Sequence, residues 1–342
     1  MALMSTARLG IYALFFLSGI SGLIYETVWL RILIRVLGST VYATSIVLAS
    51  FMAGMALGSY LLGRVAAKTK HGLRLFAYLQ LGIGVSALAL SFVLKALGPL
   101  YSMVYPLIGQ DRFTLLLFQS LVMFVLLLIP AGLMGGTLPV LASHTRKYQV
   151  RFSERLGYLY GLNTLGACLG VFGSGLFAIG AWGERNTLFA AVLINLSVAL
   201  ISLFISKAEE TNSFSASGGI IQENSSESIS VYDLPTRRRV LVAYALSGFA
   251  AMAYEIVWAR LFQIQVGTSI YAFSLMLAFY LLGVALGSVA ATQAMPRIKN
   301  PLGLFAFAQL FIAFYSILGM YLFTLFEPAL IAGFFNFRSM IL

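Results

Sequence analysis

The sequence predicts an all-α, polytopic membrane protein built from two parallel repeats, the second shorter than the first. Three observations predict it. Of 342 residues, 60% are hydrophobic and 10% charged, whereas a soluble domain is about half apolar and about a quarter charged. The apolar residues fall in runs of roughly 20 or more, the length a helix needs to cross a bilayer. The chain also overlays itself without a gap: residues 17–59 and 246–288 agree at 19 of 43 positions, the mark of an internal repeat.

Nine spans are expected, at 9–30, 41–63, 73–94, 113–142, 156–181, 187–206, 240–259, 270–295 and 302–326. The first is not a cleaved leader, because it lacks a small-x-small exit and returns later as part of the repeat. The second carries Gly54-x-x-x-Gly58, and its repeat mate, the eighth, carries Gly283-x-x-x-Gly287. The fifth carries Gly166-x-x-x-Gly170. Small residues at this spacing share one helix face and let backbones approach closely in lipid. The fourth contains "IPAGLMGGTLPVL" at 129–141, where two prolines and three glycines suit either a kink or a broken helix lining a substrate path.

Basic residues assign the sides. With the N-terminus in the cytoplasm, 15 of the 22 Lys and Arg fall in inner segments, including Arg64, Lys68, Arg146, Lys147 and Arg237–Arg239. The others, among them Arg31, Arg35, Arg185 and Arg260, fall outside. The expected residence is the cell inner (cytoplasmic) membrane. The net charge of +11 therefore reflects topology, and no nucleic-acid partner is expected. Residues 1–206 form the first six-helix repeat and 240–342 a truncated second repeat of three helices plus a tail. Residues 207–239, rich in Ser, Glu and Gly, read as a mobile cytoplasmic loop with too little apolar surface to order itself.

One cysteine, Cys168, and two histidines, His71 and His144, offer no disulfide and no metal cluster. Both histidines read as solvated loop residues beside basic neighbours. No cofactor is expected.

The charges that remain inside spans come in a repeated motif, Tyr25-Glu26-x-x-Trp29-x-Arg31 and Tyr254-Glu255-x-x-Trp258-x-Arg260. Ionisable residues in a membrane are costly and are candidates for function. Five residues turn a helix by about 140°, so Glu26 and Arg31 cannot stack on one face. Each Arg must reach water or another helix. One reading is structural: the glutamates accept hydrogen bonds and the arginines snorkel outward. The other is transport, with Glu26 and Glu255 opposed across a pseudo-two-fold axis. Two opposed carboxyls suit an organic dication or proton coupling. Trp29, Trp258, Gln80, Gln309, Asn163 and Gln119 are the neutral candidates for the same site.

"SGLIYETVWLR", "LMGGTLPVL" and "LYGLNTLGACLG", in this order, together resemble the membrane region of the fused major-facilitator/spermidine-synthase-like proteins, over 14–206 and again over 246–326. The resemblance implies a major-facilitator-like arrangement, in which parallel halves are related by an axis along the membrane normal. Members often carry a Rossmann-type aminopropyltransferase domain, but no Gly-rich strand-to-helix turn occurs here. An enzyme acting through these residues is therefore not expected. "GSYLLGRVAAKTK" at 58–70 is similar to the major-facilitator loop after the second helix, with Ala67 where an acidic residue is usual. Two functions remain open: a secondary transporter of a small, cationic, polyamine-like solute, and a non-transporting scaffold for a separately encoded spermidine-synthase-like enzyme. The partners expected are the lipid bilayer and a second chain, which supplies either the missing helices or a Rossmann-type enzyme.

Overall fold

A computed structural model describes residues 2–38, 40–69, 71–108, 111–146, 152–215, 233–266, 270–298 and 300–341. Among the described residues the structure is helical, without strands. In order, the helices are α1 Ala2–Leu37, α2 Thr40–Lys68, α3 Gly72–Ile108, α4 Arg112–Arg146, α5 Phe152–Gly173, α6 Ile179–Ser215, α7 Leu234–Val266, α8 Ile270–Ala294 and α9 Pro301–Ile341. A π-helical turn, Ser174–Ala178, joins α5 to α6.

Eight candidate spans are long and apolar enough to cross a membrane. One of them, Arg155–Glu209, has 55 residues. At 1.5 Å per residue that is about 80 Å, more than twice the hydrocarbon thickness of about 30 Å. The chain bends inside it, at Gly183 (φ 78°, ψ 167°). This backbone region is essentially closed to residues with a Cβ. The glycine thus divides the run into two passes, at the place where the hydropathy pattern separates 156–181 from 187–206. The result is a polytopic membrane protein.

Where the helices touch follows from where the small residues are. A Cβ at Gly58 of α2 would lie 1.8 Å from the carbonyl oxygen of Gly132 in α4, and one at Gly135 would lie 2.3 Å from the Met55 carbonyl oxygen. Gly166 and Gly170 bring α5 equally close to the Phe16 and Ile20 carbonyls of α1. With no Cβ at these positions, backbones meet and dispersion contacts accumulate. The segment 129–141 is therefore a packing surface within a helix that runs through both Pro130 and Pro139. The breaks in this half lie at the π-turn and Gly183 instead.

Helices α1 to α6 bury a continuous apolar core in which Tyr25, Trp29, Leu33, Met123 and Val171 are almost wholly enclosed. The second unit is joined to it mainly where α8 packs on α5. There the Ser288 hydroxyl donates to the Gly157 carbonyl (3.1 Å), and the Cys168 thiol to the Ala278 carbonyl (3.2 Å). Two further contacts, α1 with α8 and α2 with α7, exchange with each other when the repeats are swapped. In contrast, α9 is unburied along its span window, and three glycines of the second copy, Gly248, Gly283 and Gly287, have nothing within 4 Å of a Cβ position.

Three expectations change. Helix α6 continues through Ser215 and α7 begins at Leu234, so both ends of the expected loop 207–239 are helical and Arg237–Arg239 belong to α7. Residues 216–232 lie outside the described residues. Helix α1 runs to Leu37, because 32–37 stays apolar apart from Arg35. That places Glu26 about 16 Å, or three turns, before the helix end. Finally, His144 is not a solvated loop residue. It is buried in α4, with Nε2 3.6 Å from a carboxylate oxygen of Glu209 on α6; His71 is exposed, as expected.

Candidate functional site

Glu26 and Glu255 are both buried, at 6% and 5% exposure, although they lie on helices from different repeats. Their carboxyls are within electrostatic range of one another. Each occupies the same position of its own copy, and the copies are joined mainly by α8 on α5, with the α1–α8 and α2–α7 contacts beside it. From Glu255 a line of phenols leads outward, with Tyr280 38%, Tyr160 44% and Tyr244 70% exposed. Tyr280 of α8 is in electrostatic range of both Glu255 and Tyr160 of α5, and Tyr160 of Tyr244 of α7. Two carboxyls are thus buried on α1 and α7, with the Tyr280 phenol of α8 in range of one of them. Carboxylates and aromatic faces together suit a compact organic cation, the first by charge and the second by its ring quadrupole.

The other candidates separate into groups. Gln80 is buried, and its amide nitrogen donates to the Ser18 hydroxyl (2.6 Å). Asn195 of α6 donates to the Gln80 carbonyl at 3.5 Å. Asn163 donates to the Phe15 carbonyl (2.9 Å), and its own carbonyl lies 2.1 Å from a Cβ position on Gly19. These amides tie α3 and α5 to α1, and α6 to α3; the bonds to α1 lie at least 12 Å or so along the helix from Glu26. Gln309 and Gln119 are half-buried on α9 and α4.

Trp29 is enclosed, stacked on Tyr25 (centroids 5.3 Å apart) and tilted on Phe51 (5.8 Å). Its mate Trp258 is half-buried, edge-on to Phe323 of α9 at 6.1 Å. The shared tryptophan thus meets aromatic rings in both copies.

Arg31 turns away from the carboxyl pair. Its Nε lies 2.9 Å from Oε1 of Glu184, which also receives both terminal nitrogens of Arg35. Arg260 has no such acceptor: among the described residues it makes no ion pair, and it borders a cavity of about 320 Å³ with Val41, Thr44 and Gln263.

Sequence reasoning missed Glu184, Tyr160, Tyr244 and Tyr280. Two signals were present. Glu184 is an acidic residue directly after Gly183, in the interval between two spans. Tyr280 is the repeat mate of Phe51, so a ring that packs on tryptophan in one copy gains a hydroxyl in the other.

Comparison with known proteins finds no matching family model, no matching curated protein and no matching solved structure.

Proposed function

We propose that this chain is the body of a secondary transporter for a small organic cation, with a major-facilitator-like arrangement of its two repeats. The observation that carries the reading is the pair Glu26 and Glu255, buried at equivalent repeat positions and in electrostatic range. An intramembrane carboxyl that faces the interior of a bundle is characteristic of ion and proton paths. The reciprocal contacts α1–α8 and α2–α7 favour an axis along the membrane normal, as parallel repeats require. The inner excess of Lys and Arg favours a cytoplasmic N-terminus. A diamine or polyamine places one ammonium against each carboxyl, with Tyr280 contributing a ring face and an acceptor beside Glu255.

The experiment is uptake of a radiolabelled diamine into proteoliposomes that hold the purified chain under an imposed pH gradient. Saturable, gradient-dependent uptake is expected. Its absence, together with retention of a soluble aminopropyltransferase-like protein on the same liposomes, supports the scaffold reading instead.

A second proposal rests on the unfilled faces of α8 and α9. In the first copy Gly54 and Gly58 are held against α4, while Gly283 and Gly287 meet nothing. Transmembrane helices of the α4 type, rich in small residues, are the complement such a surface requires.

A further inference from the structure

Arg31, Arg35 and Arg185 cluster around Glu184 near the end of α1, apart from the carboxyl pair. A cavity of about 330 Å³ lies between α1, α3 and α6, within the volume range of small-molecule sites. Its depth is apolar, from Val28, Ile32, Leu88 and Leu188, and its polar edge is made by Arg35, Glu184 and Arg185.

The charges do not balance. Arg31 and Arg35 both engage the single carboxylate of Glu184, which leaves one positive charge over. Arg185 adds another, its guanidinium 5.4 Å from the Phe189 ring centroid. Among the described residues the edge therefore carries two positive charges in excess above an apolar recess. The recess opens sideways: Phe92, on its wall, is 68% exposed and belongs to the span Gly72–Leu94. Exposed apolar residues of a span face lipid, and arginines at a span end lie at headgroup depth.

We infer that this cavity is a binding site for an anionic membrane lipid, with one acyl chain in the recess and the phosphate on Arg185 and Arg35. Apolar depth selects a chain, the surplus charge selects an anionic headgroup, and the lateral opening selects a ligand that arrives through the bilayer. Guanidinium forks suit phosphate oxygens.

Native mass spectrometry of the detergent-purified chain tests this, with dioleoyl phosphatidylglycerol and dioleoyl phosphatidylcholine titrated separately. The first phosphatidylglycerol is expected to bind about five- to thirtyfold more tightly than the first phosphatidylcholine, the effect of one or two cationic contacts. Arg185→Ala removes most of that preference and leaves phosphatidylcholine binding unchanged, and Arg185→Lys retains part of it. Ser91→Trp, which fills the recess, weakens both lipids. Equal binding of the two lipids by the unaltered chain overturns the inference, as does a preference that survives Arg185→Ala. Displacement of phosphatidylglycerol by equimolar inorganic phosphate also overturns it, because the recess would then contribute nothing.

Discussion

Arg31 Nε lies 2.9 Å from Glu184 Oε1, so the arginine of the repeated motif is received by the helix that begins after the Gly183 bend. Arg35, one turn further along α1, forks onto the same carboxylate. The arrangement needs three features together: α1 continuing past Arg31, a glycine that turns the chain, and an acid directly after it.

The first prediction concerns this cluster. Glu184→Gln leaves two guanidiniums sharing a neutral acceptor. Hydrogen bonds between ionised groups contribute about 1.5–3 kcal/mol when shielded, and both arginines are more than a third exposed, so a loss of about 1 kcal/mol is expected. Gly183→Ala acts on the same cluster through backbone strain, at about 1–3 kcal/mol. Thermal unfolding in detergent should show both losses, and combining Glu184→Gln with Arg31→Gln should give less than the sum of the two.

The second prediction uses the repeat as its own control. Gly58→Val drives a side chain into the Gly132 carbonyl, 1.8 Å from the Cβ position. It should cost about 3 kcal/mol by forcing α2 and α4 apart. Gly287→Val, at the equivalent position with nothing within 4 Å, should change the purified chain by less than about 0.5 kcal/mol. Thermal midpoints of the two variants check the contrast directly.

A third prediction concerns the start of α4. Asp111 caps it, accepting from the Thr114 and Phe113 amides (3.0 and 3.3 Å) and from the Thr114 hydroxyl. These bonds, the Thr114 hydroxyl foremost, hold the Asp111 carboxyl below its ordinary value. A carboxyl lowered in the folded state stabilises above its unfolded pKa, and the effect fades as pH falls through the folded value. Asp111→Asn should therefore lower the thermal midpoint at pH 7, and the gap to the unaltered chain should close below about pH 4.

Much of this was legible in the sequence, and the reasons differ by element. Spans follow from hydropathy because unpaired backbone groups force helices in lipid. The repeat placed Glu26 and Glu255 at equivalent positions, and a helical turn of 100° per residue already excluded a Glu26–Arg31 pair. The partner of Arg31 was not legible. It depends on a bend whose signal is one glycine among 32, and on how far α1 continues, which hydropathy leaves uncertain by several residues. His144 was misread because its neighbours Arg146 and Lys147 suggested a loop, whereas α4 runs to Arg146 and α6 runs long enough to bring Glu209 beside it. The two prolines of 129–141 were equally ambiguous: a proline marks a lost donor, and only the surrounding packing decides whether the helix breaks.

The central claim is that the carboxyls of Glu26 and Glu255 carry the transported charge. Gradient-driven diamine uptake by proteoliposomes that hold Glu26→Gln or Glu255→Gln, each with an unchanged gel-filtration profile, tests it most directly. The account predicts that either substitution abolishes uptake and the linked proton flux. Uptake that survives both would contradict it and leave the glutamates as structural residues.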